Sequence, residues 1–129
     1  MLVTSAQRTL LDGRHYAIVG TLNGDGSIQQ TMVWYLLDAA EIRFSVGASS
    51  AKASNLRRNP TITVTITDGP RYLSLRGEAV VEPADPELRL RLALRYLGPE
   101  QADEWLARRP DAPRASVRVV IRRVYGQGV

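Results

Sequence analysis

The most restrictive feature of this sequence is a short stretch with a strict two-residue period. Between Thr61 and Thr67, threonines alternate with Ile62, Val64 and Ile66. Successive side chains of a β-strand point to opposite faces, so the pattern predicts a strand with one aliphatic face and one hydroxyl face. Such a strand needs neighbours on its edges and a core beneath its aliphatic face. The chain is therefore expected to be built around a β-sheet.

Tight turns separate this strand from several others. The segment Asn23-Gly24-Asp25-Gly26 is a strong hairpin signal, and Asp68-Gly69-Pro70 is a second turn. Gly77 interrupts a long alternating stretch and indicates a bulge. Consecutive hairpins give an antiparallel sheet, and closing that sheet into a barrel removes its exposed edges. Six strands are predicted, over residues 16–22, 28–37, 42–46, 61–67, 73–81 and 117–122.

Helical segments are predicted at three places. The first is Ser5 to Leu11, and the second runs from Ala51 to Asn59, where Pro60 ends it. The third begins at Asp85-Pro86 and stops at Gly98, after which Pro99 starts a further helix that carries Trp105. The expected fold is mainly β with inserted helices, a six-stranded antiparallel split β-barrel that occupies residues 1–129 as one domain.

Composition excludes several classes of site and location. The chain has no cysteine, which excludes disulfides, thiolate catalysis and cysteine metal sites. His15 is the only histidine and no G-x-S-x-G motif accompanies it, so neither a serine hydrolase nor a metal site is expected. No apolar run approaches about 18 residues, and the polar N-terminal residues do not form a secretory leader. We expect a cytoplasmic protein with no membrane partner.

The basic charge favours anionic partners. The net charge is +4, and of 17 basic residues 16 are arginine, which leaves Lys52 as the only lysine. A nucleic-acid-binding barrel needs aromatic side chains interleaved with basic ones on an exposed face. Aromatic residues make up only 6% of this chain, so nucleic acid is not the expected partner.

The first candidate site is the start of the second predicted helix. The small residues of Gly47-Ala48-Ser49-Ser50 lead into this helix, and Lys52 lies in its first turn. Backbone N–H groups and the helix dipole attract anions there, whereas a cation is unfavourable unless an anion lies nearby. A bound phosphate and a solvated surface lysine explain these residues equally well.

The second candidate site is the stretch Thr31-Met32-Val33-Trp34-Tyr35. Met32, Trp34 and Leu36 fall on one face, and Val33 and Tyr35 fall on the other. A strand that is apolar on both faces is doubly buried, lines a pocket or forms an interface. An ordinary core with a dimer contact explains these residues at least as well as a pocket does.

The order and spacing of several motifs resemble those of a known superfamily. The chain is similar over nearly its whole length to the FMN-binding split-barrel superfamily, the pyridoxamine 5'-phosphate oxidase-like group. Within that group it resembles the small flavin- or deazaflavin-dependent oxidoreductases. The residues that carry the resemblance are 17–26, 31–34, 42–45, 51–60, 71–77 and 123–126.

The resemblance implies a homodimer with cofactor sites in the groove between subunits. In that family pattern Thr31, Met32, Val33 and Trp34 contact the ring of FMN or of the deazaflavin coenzyme F-420. Ser45 and the segment Ser50-Ala51-Lys52 surround the phosphate. This chain has Ser50 where the family often has arginine, and Met32 where it often has proline.

The function implied by the resemblance is a reductase that passes hydride from reduced F-420 to an electron-poor organic acceptor. An FMN-dependent oxidase or reductase and a non-catalytic cofactor-binding protein are the alternatives. The FMN phosphate is a monoester with nearly two negative charges, whereas the deazaflavin carries a singly charged diester. One ammonium and two serine hydroxyls suit one negative charge, which favours the deazaflavin. No residue is assigned as the proton donor.

Overall fold

One antiparallel sheet and three helices make up the part of the chain that the computed structural model describes, which is residues 2–108 and 113–129. The elements in chain order are α1 (Ser5–Asp12), β1 (Ala17–Leu22), β2 (Ile28–Val33), β3 (Leu36–Asp38), β4 (Glu41–Gly47), α2 (Ala51–Arg58), β5 (Thr61–Asp68), β6 (Arg71–Pro83), α3 (Pro86–Ala107) and β7 (Arg114–Gln127).

The strand with the clearest alternation lies inside the sheet. The order of the strands is β2-β1-β5-β6-β7-β4-β3, and every neighbouring pair is antiparallel. The aliphatic side chains Ile62, Val64 and Ile66 of β5 are all at most 1% exposed, so the predicted aliphatic face is the core face. The prediction of a mainly β antiparallel fold is confirmed.

The predicted number of six strands is wrong, because the stretch 28–37 forms two strands rather than one. Strand β2 ends at Val33 and β3 begins at Leu36, and the two lie at opposite ends of the sheet order. Trp34 and Tyr35 carry the chain from one end to the other. The backbone N–H of Tyr35 donates to the hydroxyl of Tyr96 at 3.1 Å, a side-chain bond that replaces the strand ladder at this point.

The sheet curves around one core and stays open between its two end strands. Helix α2 contacts both β1 and β4, which are four places apart in the sheet order, so the sheet bends around this helix. The β6–β7 register shifts between Arg76 and Gly77, as the predicted bulge requires. A Cβ atom on Gly77 would overlap the carbonyl oxygen of Val120, which leaves glycine as the residue that fits.

Helix α3 is interrupted where the sequence predicts a stop. Gly98 has a φ of 81°, which is left-handed backbone outside the helical region, and the helix resumes at Pro99. At the other end, the carboxylate of Asp85 accepts the backbone N–H of Leu88 at 3.1 Å and caps the first turn. Within residues 2–108 and 113–129, no helix combines the length and the apolar character that crossing a membrane requires.

Candidate functional site

A pocket of about 310 Å³ lies where the ends of β2 and β4 meet α2, α3 and the start of β7. This volume is at the lower end of the range typical of small-molecule sites. One part of its wall is cationic and another is aromatic. Among the described residues, its polar lining side chains include Ser45, Lys52, Arg89 and Arg114, and its aromatic ones are Tyr16, Trp34 and Trp105.

Two basic side chains and a serine form the cationic part. The Nε of Arg114 donates to the hydroxyl of Ser45 at 3.2 Å, because β4 and β7 pair along their length and place Gly47 opposite Arg114. Lys52 extends from the first turn of α2 into the same pocket. Burial lowers the pKa of the Lys52 ammonium, and the positive charge of Arg114 lowers it further.

The Lys52 ammonium has no carboxylate beside it among the described residues that line the pocket. Lys52 makes no hydrogen bond or ion pair within residues 2–108 and 113–129, and the described lining residues include no aspartate or glutamate. Holding two cations together in a partly buried pocket is unfavourable, and a bound anion relieves both the desolvation and the repulsion. Lys52 is thus a partly buried lysine rather than a fully solvated one, and its predicted contact with a phosphate stays a prediction.

The aromatic part is a run of four stacked or tilted rings. The Trp34 and Tyr96 rings are 5.1 Å apart at an interplanar angle of 7°, and Tyr16 stacks on Tyr96 at 5.7 Å. Trp105 lies 5.1 Å from Trp34 at 40°. The hydroxyl of Tyr96 donates to the backbone carbonyl of His15 at 2.5 Å, which fixes the run to the body of the protein. Trp34 is therefore held rigidly at the pocket wall.

The structure brings five of the eight predicted cofactor-binding residues together. Met32, Val33, Trp34, Ser45 and Lys52 all line the pocket, whereas Thr31, Ser50 and Ala51 do not. The hydroxyl of Ser50 accepts the backbone N–H of Ala53 at 3.2 Å and so caps α2. The hydroxyl of Thr31 is buried with no hydrogen-bond partner among the described residues. The cofactor roles assigned to these residues stay predictions.

Seven of the twelve described lining residues are absent from the predicted site, among them Arg114, Arg89 and Trp105. Arg114 is 69 positions away from Ser45 in the chain, and only the β4–β7 pairing brings the two together. Arg89 and Trp105 lie on the two parts of α3, and the interruption at Gly98 lets Trp105 return to the pocket. Two basic side chains, Lys52 and Arg114, therefore lie in this part of the pocket, whereas the sequence predicts only Lys52 there.

A metal site was not expected from the sequence. Within residues 2–108 and 113–129, no group of three or more histidine, aspartate or glutamate side chains is placed to hold a metal ion.

Comparison with known proteins gives relatives for nearly the whole chain. The family model described as pyridoxamine 5'-phosphate oxidase matches residues 3–128. An F420H(2)-dependent biliverdin reductase from Mycobacterium tuberculosis (strain CDC 1551 / Oshkosh) is 33% identical over 121 aligned residues, and the match covers 90% of this chain and 82% of that protein.

Solved structures share the same architecture. A structure described as an F420 reductase has a TM-score of 0.82 and 27% identity, covering 95% of this chain and 98% of that one. A conserved hypothetical protein from Mycobacterium tuberculosis has a TM-score of 0.79 and 27% identity, covering 98% of this chain and 85% of that one.

Proposed function

The chain belongs to the pyridoxamine 5'-phosphate oxidase family, and from this we propose that it is an oxidoreductase with a flavin-type cofactor in the pocket. More specifically, we propose a reductase that uses the reduced deazaflavin F-420 to deliver hydride to an electron-poor organic acceptor. The F420H(2)-dependent relative and the F420 reductase structure support this choice of cofactor.

The observation that carries the proposal is that Lys52 and Arg114 lie together in one part of the pocket, while another part is aromatic. A phosphate-bearing ring cofactor has the same division between an anionic group and a flat conjugated system. Lys52, Arg114 and Ser45 would hold the phosphate by charge-assisted hydrogen bonds. The unpaired state of the Lys52 ammonium among the described residues is the structural reason for expecting an anion there.

The end of β2 would hold the ring. Met32, Val33 and Trp34 line the pocket beside Trp105, and the rigid ring run behind Trp34 gives that wall a fixed position. When bound, the reduced cofactor supplies the hydride, while the protein supplies orientation and shielding from water. Leu92 and Val46 add apolar surface to the same lining and so help to exclude water.

FMN is the second candidate cofactor, and Arg114 is the observation that favours it. A site with two cations binds a doubly charged phosphate monoester better than a site with one cation does. The sequence predicts only one. The number of cations in the pocket therefore does not distinguish FMN from the deazaflavin. The preference for F-420 now rests on the named relatives.

We also propose that the protein is a homodimer. On the outer face of the sheet, Met32 lies opposite Ile18, and Ile18 lies opposite Thr65. The side chains of Ile18, Ile28 and Met32 are 42%, 69% and 63% exposed. Apolar side chains grouped at the free end of a sheet are typical of a surface that a second subunit covers. Because Met32 also lines the pocket, the partner would lie next to the cofactor.

A fluorescence titration tests the proposed cofactor. The chain has two tryptophans, Trp34 and Trp105, and both line the pocket, so intrinsic tryptophan emission reports on this site. F-420 and FMN are each added to the purified protein, and we expect saturable quenching with a lower Kd for F-420. Oxidation of reduced F-420 is then followed by absorbance in the presence of organic acceptors.

Three outcomes contradict parts of the proposal. If neither F-420 nor FMN quenches the tryptophan emission, a flavin-type cofactor in this pocket is refuted. Tighter binding of FMN would refute the choice of F-420. Tight binding without acceptor-dependent oxidation of the reduced cofactor would favour a protein that binds the cofactor without turnover.

A further inference from the structure

Arg89 differs from the other arginines of α3 in having no polar partner among the described residues. Arg91 forms an ion pair with Asp38 at 3.3 Å, and Arg95 donates to the carbonyl of Gly13 at 2.6 Å. Arg89 makes no hydrogen bond or ion pair within residues 2–108 and 113–129, and its Nε is buried without a partner. This guanidinium lines the pocket. The anion site described above does not explain its position.

The position of Arg89 over Trp105 prepares it to bind a carboxylate. The central carbon of the guanidinium is 5.2 Å from the centre of the Trp105 ring, within the distance of a cation–π contact. A cation–π contact uses none of the N–H groups of the guanidinium as hydrogen-bond donors, so they stay available to a ligand. A carboxylate matches the edge of a guanidinium with two parallel hydrogen bonds.

Arg89 is carried by a different element from the two cations proposed to bind the phosphate. Arg114 is hydrogen-bonded to Ser45 on the sheet, and Lys52 projects from α2. Arg89 is attached to Trp105 on α3, and Trp105 lies 5.1 Å from Trp34. The pocket is therefore lined by cations from β7, α2 and α3, and the cation of α3 has an aromatic ring beside it.

We propose that Arg89 and Trp105 bind the electron acceptor, and that this acceptor is a flat conjugated molecule that carries a carboxylate. Trp105 contacts the conjugated system, and the guanidinium of Arg89 pairs with the carboxylate. The assignment of this ligand as an acceptor rests on the proposed oxidoreductase function. The recognition of a flat carboxylate by these two residues rests on the contacts of Arg89 alone.

The deazaflavin is a second source of the same chemistry, because its tail also carries carboxylates. If Arg89 held that tail, its loss would weaken binding of the cofactor and leave the acceptor unaffected. Binding of the cofactor and of the acceptor therefore have to be measured separately in the same variants.

The test compares an acid with its neutral ester. Biliverdin is a dicarboxylate built of flat conjugated pyrrole rings. Biliverdin and its dimethyl ester are titrated into the cofactor-loaded protein and the cofactor-free protein, with tryptophan emission as the readout. KM for both is measured with reduced F-420. In Arg89→Gln we expect the Kd and KM for the acid to rise roughly 10- to 150-fold, as expected for loss of a charge-assisted hydrogen bond. Values for the ester should stay within about twofold.

Two further variants complete the design. Arg91→Gln removes the same charge from the same helix outside this pocket and should leave both ligands unchanged. Arg89→Lys keeps the charge but loses the two-pronged geometry, and it should recover only part of the binding of the acid.

Several results would overturn the proposal. The parent protein could bind acid and ester equally, or bind neither of them. Arg91→Gln could lose as much affinity for the acid as Arg89→Gln does. Finally, Arg89→Gln could lose affinity for F-420 alone. Failure of the proposed function gives a different result. In that case neither F-420 nor FMN binds, while the cofactor-free protein still distinguishes acid from ester through Arg89.

Discussion

Replacing Lys52 by glutamine should affect stability and cofactor binding in opposite directions. In the cofactor-free protein the ammonium is partly buried, lies in the first turn of α2 and is repelled by Arg114. Its removal should raise the free energy of unfolding by about 0.3–1 kcal/mol, the size of a charge effect at a helix terminus. The same change removes a charge-assisted hydrogen bond to the phosphate. The Kd of F-420 should therefore rise roughly 10- to 150-fold.

The stability gain should depend on pH. Folding lowers the pKa of Lys52 below its ordinary value of 10.5, so the folded chain releases this proton before the unfolded chain does. As pH rises through that window, the unfolded state binds more protons and the parent protein gains stability relative to the glutamine variant. The advantage of the variant is therefore complete at neutral pH and shrinks as pH approaches about 10.5.

Urea unfolding at neutral pH and near pH 10, together with F-420 titration by tryptophan emission, measures all three effects. Lys52→Arg keeps the charge and should retain most of the affinity. Arg91→Gln lowers the net charge equally without touching the pocket and should leave the Kd unchanged. An unchanged Kd in Lys52→Gln would refute the phosphate role. If Arg91→Gln lost as much affinity for F-420, the effect of Lys52→Gln would be explained by general electrostatic attraction.

Two further predictions address the frame of the site. Tyr96→Phe removes the hydroxyl that donates to the His15 carbonyl and accepts the Tyr35 N–H. Urea unfolding should therefore show a free energy of unfolding lower by about 1–3 kcal/mol. An unchanged free energy of unfolding would contradict this role. Ile18→Lys places a charge on the exposed apolar face of the sheet, so sedimentation should show a dimer for the parent and a monomer for the variant. Leu90→Lys, at an exposed apolar position on α3, should leave the dimer intact, and a monomeric parent would refute the proposed interface.

The elements that could be predicted from the sequence are those with a strong local cause. The alternation in β5 has one buried aliphatic face, and the bulge at Gly77 and the helix interruption at Gly98 depend on what only glycine tolerates. The start of α2 could also be predicted, because Ser50 caps it and the small residues before it end the preceding strand. In each case neighbours along the chain determine the structure.

The division of 28–37 into two strands could not be read locally. The residues of this stretch are apolar on both faces, and a continuous apolar run is also what a single buried strand shows. The break at Trp34 and Tyr35 depends on Tyr96, which is 61 positions away from Tyr35 and satisfies its backbone N–H. No turn residue marks such a break, because a distant side chain rather than a local turn supplies the hydrogen bond.

The same limit applies to the pocket. Lys52 was recognisable because a cation at a helix start conflicts with the helix dipole. Arg114 and Arg89 carry no such local conflict and are two among 16 arginines. Their roles come from strand pairing and from the path of α3, which are long-range properties of the fold.

The break in the strand and the position of the pocket have one structural origin. Because the chain leaves β2 at Val33 and enters β3 at the opposite end of the sheet, the segment between them must cross the opening of the barrel. Tyr35 points into the core with no exposure, which anchors the crossing, and its neighbour Trp34 lines the pocket. Tyr96 fixes both residues at once, by a hydrogen bond to the N–H of Tyr35 and by stacking on the Trp34 ring. The aromatic wall of the pocket therefore follows from the break that separates β2 from β3.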